Sequence, residues 1–254
     1  MLETRVIPCL LLRGWGLVKT VRFRNPVYVG DPINTVRIFN ELEVDELIFL
    51  DITATPEKTA LPYRIIEEIA AECFMPFTYG GGIRSIEDVK RIFSLGVEKI
   101  ALNTYAVENP KFVNDIAEKF GSQSIVVSID VRRTITGKYR VYSESGRKNT
   151  GTDPVALAKK MEQAGAGEIL ITSIDRDGTF SGFDTELIEK VSSVVNIPVI
   201  VCGGAGSIAD FKKAIDAGAS AVAAGSMMVY QGKNKAVLVN FPGQSELKQV
   251  VNRG

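Results

Sequence analysis

The sequence predicts an α/β fold, a single (β/α)8 barrel over residues 1–254, assembled from two related halves. Three observations carry that expectation. Short apolar runs alternate with amphipathic segments eight times, as parallel strands do when helices cover their outer face. A chain of 254 residues, 45% of them hydrophobic, has the length of one closed barrel of this kind. Finally, Pro76–Thr104 matches Pro198–Ser226 at a constant offset of 122 positions, sharing the proline, two glycines, Ser-Ile, Asp, Lys and the later Gly96/Gly218. A closed barrel has twofold pseudosymmetry, whereas the alternative, an open doubly wound sheet of this size, usually does not.

The expected strands are Arg5–Leu11, Glu46–Asp51, Phe77–Tyr79, Lys99–Leu102, Ser124–Asp130, Glu168–Ser173, Val199–Cys202 and Ala221–Ala224. Between them lie helical stretches such as Pro32–Leu42, Ile86–Leu95, Pro110–Phe120 and Pro154–Ala164. Two connections are long. Arg13–Gly30 follows the first strand and carries Trp15, Lys19, Arg22, Phe23, Arg24 and Tyr28, which suits a lid over an anionic ligand or an ordinary solvated loop. Arg132–Thr152 contains Lys138–Tyr142, which reads as one arm of a small hairpin. Near the C-terminus, Lys235–Pro242 is strand-like where a last barrel helix belongs, and Ser245–Val251 reads as helix.

The repeated stretch is a device. Tyr79-Gly80-Gly81-Gly82 and Cys202-Gly203-Gly204-Ala205-Gly206 each follow a short apolar strand. Each leads into a helix opened by a serine, Ser85 or Ser207, with an acid three residues on. Free backbone N–H groups and the positive end of a helix dipole suit a phosphate. Two such turns suggest one ligand with a phosphate at each end.

Composition removes several classes. Thirty basic and thirty acidic residues cancel, so nothing favours nucleic acid or an anionic membrane surface. No apolar run approaches a membrane span and Met1–Arg5 lacks a signal-peptide pattern, so a cytoplasmic protein is expected. Cys9, Cys73 and Cys202 sit apart in apolar runs and read as buried reduced thiols. The chain has no histidine, which excludes Ser-His-Asp chemistry and most zinc sites, so no metal or cofactor is expected. Acid–base work falls to carboxylates, Lys, Tyr or water.

Asp130 ends the fifth strand, where a barrel places catalytic groups; it serves as a proton carrier or as a cap. Aligning Ile7–Leu11 with Val126–Asp130 sets Leu11 opposite Asp130, and leucine carries no proton. Asp51 ends strand two. Asp175-Arg176-Asp177-Gly178-Thr179 follows strand six and offers either N–H groups to the second phosphate site or only a turn. Asn103-Thr104 and Gly225-Ser226 stand at equivalent places beside the two glycine turns. At the other end of the barrel, Arg5, Glu46, Lys99 and Glu168 open strands one, two, four and six. They are either solvated charges or a closed ring of ion pairs gating a small molecule.

Nearly the whole chain resembles the cyclase subunit of imidazole glycerol phosphate synthase. The marks are Arg5–Leu10, Val18-Lys19, Gly30-Asp31-Pro32, Phe49–Ala54, Gly80–Ser85, Val107–Pro110, Asp175–Thr179 and Gly203–Gly206. The resemblance implies a glutaminase subunit docked at the barrel floor, ammonia passing a gate matched by Arg5, Glu46, Lys99 and Glu168, and a bisphosphate ribonucleotide at the top. It implies that Lys19 is the lid lysine, and that phosphate is held by Gly82, Asn103, Thr104, Asp177, Gly178, Gly204, Gly225 and Ser226. Of the family's two catalytic aspartates one matches Asp130; the other falls on Leu11. That change, with the altered tail after Ser226, looks like diverged paralogues in surface-polysaccharide loci, which team with a glutaminase and a sugar amidotransferase to make acetamidino sugars. An authentic cyclase and a non-catalytic scaffold that switches on its glutaminase are the alternatives.

Overall fold

The computed structural model describes residues 4–232, 234–243 and 245–247. Eight parallel strands close on themselves: β1 (Arg5–Arg13), β4 (Leu47–Asp51), β5 (Phe77–Gly80), β6 (Lys99–Leu102), β7 (Ile125–Arg133), β10 (Glu168–Ser173), β11 (Val199–Cys202) and β12 (Ala221–Ala224). Each pairs with the next, and β12 returns to β1 with Arg5 opposite Ala221. The expected barrel is therefore the observed one, and every predicted strand lies within about a residue of its place at the floor end. The helices between them are α1 (Pro32–Glu41), α2 (Tyr63–Glu72), α3 (Ile86–Ser94), α4 (Thr104–Glu108), α5 (Pro110–Phe120), α6 (Pro154–Gln163), α7 (Thr185–Ser192), α8 (Ile208–Asp216) and α9 (Ser226–Val229).

Strand alternation sorts the core into two layers. Odd-facing residues such as Leu47, Phe49, Val127, Ile129, Ile169 and Ile171 pack outward against the helices. Ile7, Cys9, Ile48, Ala101, Val126, Leu170, Ile200, Ala221 and Ala223 fill the lumen as a separate cluster. The helix starts follow from the sequence: Asp31 and Asp153 accept the free N–H groups of α1 and α6, and a proline occupies the first helical position of each. In α3, Ser85 and Asp88 cap each other reciprocally.

Three expectations need correction. Arg13–Gly30 is not a loop: β1 runs to Arg13 and turns back into a hairpin, β2 (Gly16–Val21) and β3 (Arg24–Gly30). The alternation in Leu17-Val18-Lys19-Thr20-Val21 is strand-like, but its turn, Arg22-Phe23, carries no glycine or asparagine to announce it. The strand-like tail Lys235–Pro242 contributes only β14 (Ala236–Val237), paired with β13 (Tyr230–Gln231). The helix expected over Ser245–Val251 is seen at residues 245–247; 248–254 lie outside the described residues. Cys73 and Cys202 are half-buried rather than buried, while all three cysteines are free thiols. Lys138–Tyr142 does form a hairpin arm: β8 (Tyr139–Ser143) pairs antiparallel with β7 and with the short β9 (Lys148–Asn149). No helix among the described residues is long and apolar enough to cross a membrane.

Candidate active site

A cavity of about 510 Å³ opens at the C-terminal ends of the barrel strands, and Leu11, Lys19, Asp130 and both glycine turns line it. The lumen parity of β7 carries Ser128 and then Asp130 into it. Thr172 on β10 stands level with Asp130. Asn103, at the end of β6, donates its Nδ2–H to Ser128 O at 3.0 Å and to Asp130 Oδ2 at 3.2 Å. Burial pushes the Asp130 carboxyl up to about 7; the nearby Asp177 charge adds to this, while hydrogen bonds from Ser128 and Thr172 oppose it. A carboxyl poised near neutral pH suits proton transfer. Leu11, on the facing part of the wall, offers no second proton carrier.

The two glycine turns sit where the sequence placed them. Gly82 N–H donates to Thr55 Oγ1 at 3.2 Å, and Arg84 approaches the Thr55 carbonyl, so the β4–α2 connection folds over the first turn. Thr104 accepts the Glu144 N–H at 2.9 Å and donates to Asn103 Oδ1 at 3.2 Å. In the second turn Gly204 has φ +112°, and Gly182 O occupies the space a Cβ would need, so only glycine fits. Gly225 and Ser226 border this turn from β12 and α9, with the Lys19 ammonium beside Gly225. Asp51, a candidate acid, also lines the cavity, with its Oδ1 accepting Thr53 N–H, Thr53 Oγ1–H and Ala54 N–H as a cap for its own loop.

At the barrel floor the four charges form a closed cycle. Arg5 Nη1 meets Glu46 Oε2 at 2.6 Å and Arg5 Nη2 meets Glu168 Oε1 at 2.8 Å. Lys99 Nζ lies 3.1 Å from Glu46 Oε1 and 3.4 Å from Glu168 Oε1. Burial works against the Arg5 guanidinium, but Glu168 and Glu46 outweigh it and raise its pKa. The choice between solvated charges and a ring is thus settled for the ring.

The hairpin closes over the other end. Lys19 is buried, its Nζ donating to Cys9 O at 2.5 Å. Thr20, also buried, donates to Asp177 Oδ2 at 2.7 Å. Below, the neighbouring Cys202 thiol lowers the Cys9 pKa with help from Lys19, while Cys9 and burial raise that of Cys202.

The sequence reading passed over Ser128, Thr172, Thr20 and Thr55. Ser128 and Thr172 carried a signal, since each is a hydroxyl at lumen parity in an otherwise apolar strand. Thr20 and Thr55 carried none, because their partners are brought by distant connections.

Fold and site together define a closed (β/α)8 barrel whose cavity lies at the C-terminal strand ends, between two glycine turns. Residues 5–235 match the family described as "Histidine biosynthesis protein", and the chain belongs to that family. A Pseudomonas aeruginosa protein, provisionally named imidazole glycerol phosphate synthase subunit hisF2, is 53% identical over 97% of this chain and 99% of its own. A Vibrio vulnificus relative with the provisional name subunit hisF3 is 46% identical over 99% of this chain and 97% of its own. "Imidazole glycerol phosphate synthase subunit HisF" of Alkaliphilus metalliredigens is 45% identical over 91% of this chain and 92% of its own.

Proposed function

We propose that this chain is the ammonia-accepting barrel subunit of a glutamine-dependent amidotransferase. A glutaminase docks at the floor and delivers ammonia past the Arg5–Glu46–Lys99–Glu168 ring. The nitrogen crosses the lumen to a phosphorylated acceptor at the top. Gly82, Asn103, Thr104, Gly204, Gly225 and Ser226 border the phosphate positions, Lys19 closes over the acceptor, and Asp130 carries the proton. The observation that carries this reading is the closed ion-pair cycle set at one end of a lumen that leads to Asp130 at the other.

Ring closure to an imidazole calls for two proton carriers, and Leu11 lines the cavity where the second would stand. Losing one partner of such a pair costs about 10²–10⁴ in rate. We therefore assign the chain to a diverged branch serving acetamidino-sugar synthesis with a sugar amidotransferase as the acceptor enzyme, instead of histidine synthesis. The test supplies the purified barrel with the bisphosphate ribonucleotide and excess ammonium salt. No consumption is expected from a folded chain that still binds its glutaminase; turnover at an ordinary enzymatic rate would return it to histidine synthesis. Opening the floor with Lys99→Ala is expected to uncouple glutamine use from product, and unchanged coupling would remove the ring as a gate.

A further inference from the structure

Asp177 is committed to the hairpin. Its Oδ2 accepts the Thr20 hydroxyl at 2.7 Å and the Phe23 N–H at 3.2 Å, and its backbone carbonyl accepts the Arg22 N–H at 2.9 Å. Arg22 Nε also donates to Asp175 O at 3.2 Å. Gly178 lies flat beneath the hairpin: a Cβ there would collide with Thr20 O. Across the cavity Phe23 packs on Gly146 of the β8–β9 turn, so the hairpin tip bridges the two sides of the mouth.

The hairpin does not hold this shape by its own propensity. Arg22, Phe23 and Asn25 have φ of 55°, 60° and 51°, a left-handed conformation that is unfavourable for bulky residues such as Arg and Phe. The two-residue turn that joins Val21 to Arg24 favours Asn-Gly, not Arg-Phe. The strand register also slips between Lys19 and Val21, and such an irregularity re-aims side chains. Here it leaves neighbouring residues both buried, Thr20 on Asp177 and Lys19 in the cavity. A strained tip whose side-chain acceptor is one carboxylate loosens when that carboxylate lets go.

We propose that Thr20 and Asp177 form a latch that shuts the hairpin over the second glycine turn and fixes Lys19 beside Gly225. Both are then positioning residues, and Asp177 is not a phosphate ligand: its carboxylate has no hydrogen to offer an anion, and its N–H already donates to Ser173 O at 3.0 Å. The latch stands on its own geometry; only the use of Lys19 in turnover rests on the function proposed above.

The test reads Lys19 without any assay of activity. The intact chain is treated with formaldehyde and borohydride, and methylation of Lys19 is followed by peptide mass spectrometry against the exposed Lys111. Thr20→Val keeps the shape and removes the donor; loss of one hydrogen bond to a charged acceptor is expected to speed Lys19 labelling about tenfold or more. Amide hydrogen exchange at Arg22 and Phe23 should rise with it, and Thr20→Ser should restore both. Thr20→Val combined with Asp177→Ala should label no faster than Asp177→Ala alone, since losing the carboxylate already breaks the Thr20 contact. Labelling of Thr20→Val at the parent rate overturns the latch, as do additive effects in the double variant. A Thr20→Ser variant as loose as Thr20→Val overturns it too. If the latch passes and no ammonia-dependent product forms with any variant, the functional reading alone fails.

Discussion

Asp130 and Tyr79 are both buried polar groups, with opposite fates. Asp130 keeps hydroxyl and amide partners, yet burial raises its carboxyl from 3.8 to about 7. Between those values the folded chain holds a proton that the unfolded chain has released, so stability falls as pH rises from about 4 to about 7. Asp130→Asn removes that dependence. Its stability relative to the parent should be little changed near pH 4 and should gain on the order of a few kcal/mol above pH 7. Urea midpoints at pH 5 and pH 8 measure it, and an equal shift at both would contradict the assignment. The Tyr79 hydroxyl has no hydrogen-bond partner among the described residues, and burial holds its pKa well above the ordinary value. Tyr79→Phe should raise stability by about 1 kcal/mol, read as a higher melting temperature. Asp130 was legible in the sequence because an acid ending an apolar strand is conspicuous. The orphaned phenol was not, since Tyr79 reads as one more outward-facing core residue.

The two glycine turns look alike in sequence, but their helices are capped differently. Ser85 Oγ accepts the Asp88 N–H at 3.1 Å, and Asp88 in return accepts the Ser85 and Arg84 N–H groups and the Tyr63 hydroxyl. Burial raises the Asp88 carboxyl, but these donors outweigh it and leave the pKa lowered. In α8 the Ser207 hydroxyl instead donates to Asp210 Oδ2, which also accepts the Gly206 and Ser207 N–H groups. Ser85→Ala therefore orphans a helix N–H and should cost about 1 kcal/mol. Ser207→Ala removes one of three donors to a carboxylate and should cost less; equal losses in denaturant midpoints would show the caps to be equivalent. The repeat made both helix starts readable, because a serine followed by an acid at the third position is a local pattern. The hairpin β2–β3 was not readable, because Asp177, which holds its tip, arrives from beyond β10.

Across the whole molecule, duplication and parity explain why floor, lumen and mouth line up. Glu46 and Glu168 occupy equivalent places in the two halves, and each bridges Arg5 and Lys99. Above them Thr78 donates to Glu46 at 3.5 Å, and an apolar ring separates this floor from Ser128, Thr172 and Asp130. Such a wall conducts a small neutral molecule more readily than an ion, because a charge entering it loses its water without gaining a partner. On the function proposed above, nitrogen would cross it as ammonia and not as ammonium. On β12 the lumen positions are alanines, and Ala223 lies between Ile7 and Cys202. Ala223→Leu would thrust three more carbons into that space, at a cost in stability of about 1–3 kcal/mol. The cavity at the mouth and the ring at the floor would keep their residues. If the lumen is the conduit, the variant with its glutaminase should consume more glutamine per product formed, while product from external ammonium salt stays near the parent rate. A ratio unchanged from the parent in a chain that remains folded would mean that nitrogen travels by another route, and the floor ring would then be a structural clasp.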